Sequence, residues 1–124
     1  MRILISDDES TVRDVLREGL ALHFEDAEIR TCAYNTEVVA ILGGWLPDVV
    51  LLDTRQEVNG IELGGALQLQ YPKLRVIAMS GIGDRDTVMS VLCAGLGGFL
   101  HKPFNIMQLG EFVTSTLFVT NFHP

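Results

Sequence analysis

Five polar side chains in this sequence follow short, mostly apolar runs: Asp7 and Asp8 after ILIS, Asp53 after VVLL, Ser80 after VIAM, and Lys102 after Phe99-Leu100-His101. Runs this short, punctuated by Pro47-Asp48, Gly81 and Gly97-Gly98, read as strands covered on both faces rather than as buried helices. In open α/β sheets, ligands bind just beyond the carboxyl ends of the strands. If these strands are parallel, three carboxylates, a hydroxyl and an ammonium converge at one edge.

Three crowded carboxylates repel unless a cation intervenes. A set of oxygen donors without His or Cys suits Mg²⁺, a hard ion that keeps several of its waters. A bare metal site has no need of Lys102. A Lys and a Ser facing the cluster are what a transferred phosphoryl group needs, the ammonium as a point charge and the hydroxyl as a donor. Asp53, on the middle strand, is the best-placed nucleophile and would form an acyl phosphate. Mg²⁺ would offset the charge of nucleophile and phosphoryl oxygens in a loose transition state. Taken singly, each of these residues merely ends a strand at solvent. Their joint occurrence, in a balanced set of charges, carries the chemical reading.

The elements that must position them alternate along the chain. Strands are expected at 2–6, 28–32, 49–52, 75–79 and 98–100. A first helix over 10–22 has Ser10 as its cap and an apolar stripe of Val12, Val15, Leu16, Gly19 and Leu20. A second, over 36–42, is β-branched and stopped by Gly43-Gly44. A third, over 61–70, carries Gly64 and Gly65, a sign of close packing or of a frayed middle. Asp84 caps a fourth helix whose Val88, Val91, Leu92 and Leu96 face inward. Asn105 with Gln108 resembles a capping box for a fifth, with Ile106, Leu109, Phe112, Val113 and Leu117 on one face and a tail unfavourable to helix beyond Thr116. Five strands alternating with five helices make a doubly wound, flavodoxin-like α/β fold with a parallel sheet of order 2-1-3-4-5.

The 124 residues suffice for one domain, taken as 1–124. Hydrophobic residues at 48% can fill its core, and a net charge of -7 without any Lys/Arg run argues against a nucleic-acid surface. Cys32 and Cys93 read as free thiols packed as small hydrophobes in a reducing compartment. No signal peptide and no membrane-spanning run is evident, so the expected location is cytoplasmic. His101 is expected to point away from Lys102; Trp45, Met79 and Met89 read as core or interface filling.

Over essentially its full length the chain resembles the receiver domains of two-component response regulators. The resemblance rests on ILISDDE (3–9), PDVVLLD (47–53), NGIEL (59–63), VIAMSG (76–81) and GGFLHKPF (97–104). It implies that Asp7 and Asp8 help hold Mg²⁺ together with Asp53 and the backbone carbonyl of Arg55. It further implies that Asp53 accepts a phosphoryl group from the phosphohistidine of a histidine kinase or phosphotransfer protein. Ser80 would hydrogen-bond that group, Lys102 would ion-pair with it, and Phe99 would change rotamer as Ser80 moves. The Lys102–Pro103 bond would be cis. Such a domain promotes its own phosphorylation and dephosphorylation rather than turning over a substrate. Its output face would be the fourth helix, fifth strand and fifth helix, with Val119 and Phe122 nearby, docking a second copy or an effector.

The chain also departs from the family. The loop TRQEVNG after Asp53 lacks the usual Met-Pro and is shorter by about one residue; Arg55 occupies a position that tunes dephosphorylation in the family; Gly97-Gly98 replaces a more polar stretch. A phosphorylation-independent pseudo-receiver is the alternative that these departures keep open. A haloacid-dehalogenase-type phosphatase would want an Asp where Arg55 stands, and a flavodoxin-like binding module would want a phosphate loop where the chain has DDES.

Overall fold

Strands form where the apolar runs predict them, because both faces of the sheet are covered. In a computed structural model of the chain, residues 1–81 and 83–119 are described, the last two by backbone alone. The elements run β1 (Arg2–Ser6), α1 (Ser10–His23), β2 (Glu28–Cys32), a single 3-10 turn (Asn35–Glu37), α2 (Val38–Gly44), β3 (Val49–Asp53), α3 (Gly60–Gln70), β4 (Arg75–Ser80), α4 (Arg85–Cys93), β5 (Gly98–His101) and α5 (Ile106–Val119). The strands are parallel in the order β2-β1-β3-β4-β5.

Alternation along each strand divides the core in two. Ile3, Ile5, Val49, Leu51, Ile77 and Met79 pack with Leu16 and Leu20 of α1 and Leu109 and Val113 of α5. Leu4, Val50, Leu52, Val76 and Ala78 pack on the other side with side chains of α2, α3 and α4. Both faces of β3 are therefore fully buried, which is why its sequence shows no polar alternation.

Several expectations need adjustment. The N-cap of α1 is Glu9, not Ser10, and it makes no side-chain capping bond; the Glu9 N–H is instead taken by Asp7 Oδ1 at 2.9 Å. Gly43 and Gly44 do not stop α2 but form its last residues, and Trp45 ends it. Leu92 does not face inward: it is 63% exposed, and Met89 is 47% exposed rather than core. Val91 alone is buried within α4, so the short helix presents a narrow stripe to the sheet. Asp84 does cap α4, accepting from the Thr87 N–H at 2.8 Å. The backbone of α5 continues to Val119; the side chain of Val119 and all of Phe122 lie outside the described residues.

Gly64 in α3 marks close packing. A Cβ there would lie 2.9 Å from Leu96 Cδ2 and from Val76 Cγ1, so the helix rests directly on β4. Among the described residues, no helix is long and apolar enough to cross a membrane.

Candidate functional site

The sheet register brings the singled-out residues to one edge. Ser6 pairs with Leu52 and Asp53 with Met79, so Asp7 and Asp53 leave adjacent strands at the same level. Ser80 pairs with His101, which sets Lys102 one step beyond. The main-chain ladder runs past the strand ends: Asp7 N–H donates to Cys32 O at 3.1 Å, Thr54 N–H to Met79 O at 3.0 Å, and Lys102 N–H to Ser80 O at 2.8 Å. Asp7, Asp53 and Lys102 are thus launched from pinned backbone.

Asp7 is fully buried and Asp53 is 5% exposed, whereas Asp8 lies on the solvent side. Oxygens of these three carboxylates lie within 4.8 Å of one another, and they are such a group among the described residues. Lys102 Nζ donates to Asp7 Oδ2 at 2.5 Å and stands 3.8 Å from Asp53 Oδ1. Asp53 Oδ1 also accepts the Arg55 N–H at 3.1 Å. The Asp53 carboxyl is held above the ordinary carboxylate range, chiefly by burial. The Arg55 N–H and Lys102 oppose that rise, while Asp7 and Asp8 add to it.

The donor set fits a hard divalent ion. It offers oxygen only, carries concentrated negative charge, and combines two buried acids with one open to solvent. The side chain of Arg55 is exposed, so this residue has its main chain to offer the site. Ser80 is 2% exposed at the end of β4. Phe99 is partly buried and packs toward the α2–α3–α4 side, its ring stacked on His101 with centroids 6.4 Å apart. His101 Nε2 lies 3.2 Å from Gly81 O, so the imidazole is engaged with the chain after β4. The Lys102–Pro103 peptide is cis. Both cysteines are free, Cys32 buried and Cys93 exposed.

Two contributors escaped the sequence reading. Arg13, on the first turns of α1, donates from Nη1 to Asp7 O at 2.7 Å and secures the acidic turn from outside. Asn35, in the 3-10 turn after β2, is a buried polar residue whose amide reaches both Ser6 and the Asp53 carbonyl. Nothing local marks either residue, since their partners are set by the tertiary fold. Gly60 belongs here as well: a Cβ on it would fall 2.2 Å from Asp53 O. The first turn of α3 can approach the end of β3 only without a side chain at that position.

The geometry of a parallel sheet with clustered acids at its carboxyl edge agrees with comparisons to known proteins. The family model for the response regulator receiver domain matches residues 3–114, and the chain belongs to that family. It is 32% identical over 105 residues to the DNA-binding transcriptional regulator NtrC of Proteus hauseri, covering 84% of this chain and 22% of that protein. It is 30% identical over 114 residues to the transcriptional regulatory protein DegU of Brevibacillus brevis, covering 91% and 48% respectively. The chain therefore spans between about a fifth and about a half of these curated relatives. Among solved structures, the receiver domain of NtrX from Brucella abortus aligns with a TM-score of 0.80 at 30% identity, covering 93% of this chain and 97% of that one. A CheY-like receiver domain protein from Methanospirillum hungatei aligns with a TM-score of 0.85 at 26% identity, covering 97% and 95%.

Proposed function

We propose that this domain is a phosphoacceptor in two-component signalling: Asp53 takes a phosphoryl group from the phosphohistidine of a histidine kinase or phosphotransfer protein, with Mg²⁺ bound at Asp7, Asp8, Asp53 and the Arg55 carbonyl. The observation that carries this reading is the cluster of three carboxylates with Lys102 beside it. A buried acidic cluster of this kind is unfavourable by itself and is relieved when a divalent cation enters. Mg²⁺ supplies charge neutralisation at the acceptor and phosphoryl oxygens.

The residues of the chain then have distinct tasks. Asp53, oriented by the Arg55 N–H, presents an oxygen for attack. Lys102, which leans on Asp7 and stands within 3.8 Å of Asp53, exchanges a carboxylate partner for the incoming phosphoryl group. Ser80 donates its hydroxyl to that group. An open cleft beside Asp53 is walled by Val12 and Val15 of α1 and by Pro103 and Phe104, giving a donor protein an apolar surface next to the acid.

Output follows from the pull on Ser80 and Lys102, which frame β4 and β5. As Ser80 shifts, Phe99 turns further into the space behind it; burying a ring of this kind is worth about 1–3 kcal/mol, enough to bias a two-state equilibrium. The face of α4, β5 and α5, where Met89 and Leu92 are exposed, then docks a second copy or an effector. The pseudo-receiver alternative finds support in the loop without proline after Asp53.

Amide chemical shifts with Mg²⁺ and a beryllofluoride mimic of the phosphoryl group test the reading. Changes at Asp53, Ser80, Phe99 and along α4 are expected. Changes confined to the neighbours of Asp53 would remove the output route, and no response to either reagent would leave the pseudo-receiver.

A further inference from the structure

We propose that Asn35 is a positioning residue for the phosphoacceptor pocket, clamping the Asp53 main chain and the loop that follows it to the ends of β1 and β2. The proposal rests on the phosphoacceptor reading of Asp53. Asn35 is 1% exposed. Its Oδ1 accepts from Ser6 Oγ at 2.7 Å. Its Nδ2 donates to Asp53 O at 2.8 Å and to Val58 O at 2.9 Å. Its own N–H donates to Gln56 Oε1 at 2.7 Å, and Gln56 Nε2 returns to Ala33 O at 3.0 Å. Both amide hydrogens face carbonyls and the amide oxygen faces a hydroxyl, so a single orientation of the side chain satisfies the whole set.

The placement of these bonds gives them their effect. Ser6 directly precedes Asp7-Asp8, and Asp53 O belongs to the acceptor itself. Asp53 O is held by Asn35 on one side and approached by Gly60 on the other, where a Cβ would fall 2.2 Å from it. The segment from Thr54 to Asn59 contains no proline. Thr54 N–H and the 3.4 Å Gly60 N–H to Thr54 O bond tie its ends, and Asn35 and Gln56 stitch its middle to the 33–35 segment. Arg55 lies inside this stitched segment and donates its N–H to Asp53 Oδ1. Displacing the loop therefore displaces a hydrogen bond on the reacting carboxylate. An Asp at position 35 would be isosteric, yet it would turn acceptor oxygens toward two carbonyls and add charge beside the acids.

Two variants, Asn35→Asp and Gln56→Leu, separate a positioning role from simple support of the core. Amide hydrogen exchange would be measured in the ion-free full chain, alongside Mg²⁺ affinity and the rate of phosphoryl uptake from a small acyl-phosphate donor. In both variants, exchange at residues 54–60 should rise by about tenfold or more, with β1, β3 and β4 amides unchanged. Phosphoryl uptake should fall by about tenfold in Asn35→Asp and by less in Gln56→Leu; Mg²⁺ affinity is read in the charge-neutral Gln56→Leu, where it should fall severalfold while the melting temperature stays close to wild type. Unchanged loop exchange in both variants overturns the proposal, as does a uniform rise across all strands, which would make Asn35 a core residue only. A wild-type chain that binds no Mg²⁺ and takes up no phosphoryl group refutes the phosphoacceptor reading instead, and the exchange comparison still decides whether Asn35 holds the loop.

Discussion

Removing the charge of Asp53 should stabilise the ion-free protein, because the acidic cluster is held together against its own repulsion. Carboxylate oxygens of Asp7, Asp8 and Asp53 lie within 4.8 Å of one another, and Lys102 Nζ is 3.8 Å from Asp53. At an effective dielectric of about 20, a like-charge pair at that separation costs about 3.5 kcal/mol and the Lys102 attraction returns about 4.4 kcal/mol. Asp53 faces two like charges, of which Asp8 is solvent-exposed and screened. Because 4.8 Å is the longest of these separations, each repulsion is at least that large; two repulsions and burial against one attraction leave the charge unfavourable on the order of 1 kcal/mol, in line with the raised Asp53 carboxyl. Asp53→Asn keeps an oxygen for the Arg55 N–H and should therefore raise the melting temperature in EDTA at pH 7 by roughly 4–8 °C. The pH dependence has a definite sign. Because the folded Asp53 carboxyl titrates above its unfolded value, the folded state binds the proton more readily, and the wild type gains stability as pH falls through the folded value. The gap between variant and wild type should then close over the window from that raised value down to the unfolded value of about 3.9. Thermal melts in EDTA, stepped downward from pH 7, measure both effects. A variant less stable than wild type at pH 7, or a gap independent of pH, would refute the reasoning.

Three glycines of α3 should respond differently to Ala. Gly60→Ala meets the Asp53 backbone at 2.2 Å and should destabilise by about 2–4 kcal/mol, whereas Gly65→Ala, with its nearest contacts at 3.5 Å, should stabilise by up to about 1 kcal/mol; denaturant melts read both. Gly64→Ala, facing side-chain tips of Leu96 and Val76 at 2.9 Å, should fall between them. Lys102→Met keeps the stem but leaves buried Asp7 without its cation, and should cost about 3 kcal/mol in EDTA, partly restored by Mg²⁺. Asn59→Ala removes the side chain that accepts from Ile61 and Glu62 N–H at the start of α3 and should cost about 1 kcal/mol by chemical denaturation.

The features legible in the sequence are those with local causes. The continuous apolar runs at 49–52 and 76–79 reveal strands because both faces are covered by helices, and the polar residues after them fall at one edge because the strands are parallel. Asp84 announces the start of α4 through its own capping bond; Asn59 caps α3 in the same way, a signal the sequence reading of 61–70 left unused. Helical period places Leu92 inward but does not say how wide a stripe a nine-residue helix buries, and Leu92 lies outside that stripe. A hydroxyl is the usual cap signal and points to Ser10, yet the helix begins one residue earlier than that signal implies: Glu9 is the half-in residue, and its carbonyl accepts the Arg13 N–H at 3.1 Å. Asn35 was out of reach of any local pattern. Its partners lie 18, 23 and 29 residues away, and an Asn opening a helical turn looks like an ordinary cap. The sequence points Lys102 at a phosphoryl group; in the ion-free chain its closest partner is Asp7, because an ammonium next to a buried carboxylate pairs with it.

The central claim is that Asp53 is a phosphoacceptor that depends on a divalent ion. Intact-mass measurement after incubation with a small acyl-phosphate donor and Mg²⁺ tests it most directly, with fragmentation to locate the adduct. One phosphoryl group is expected on wild type, located at Asp53, with none in EDTA and none on Asp53→Asn. An adduct of equal yield on Asp53→Asn, or an unmodified wild-type chain at saturating donor and Mg²⁺, would contradict it.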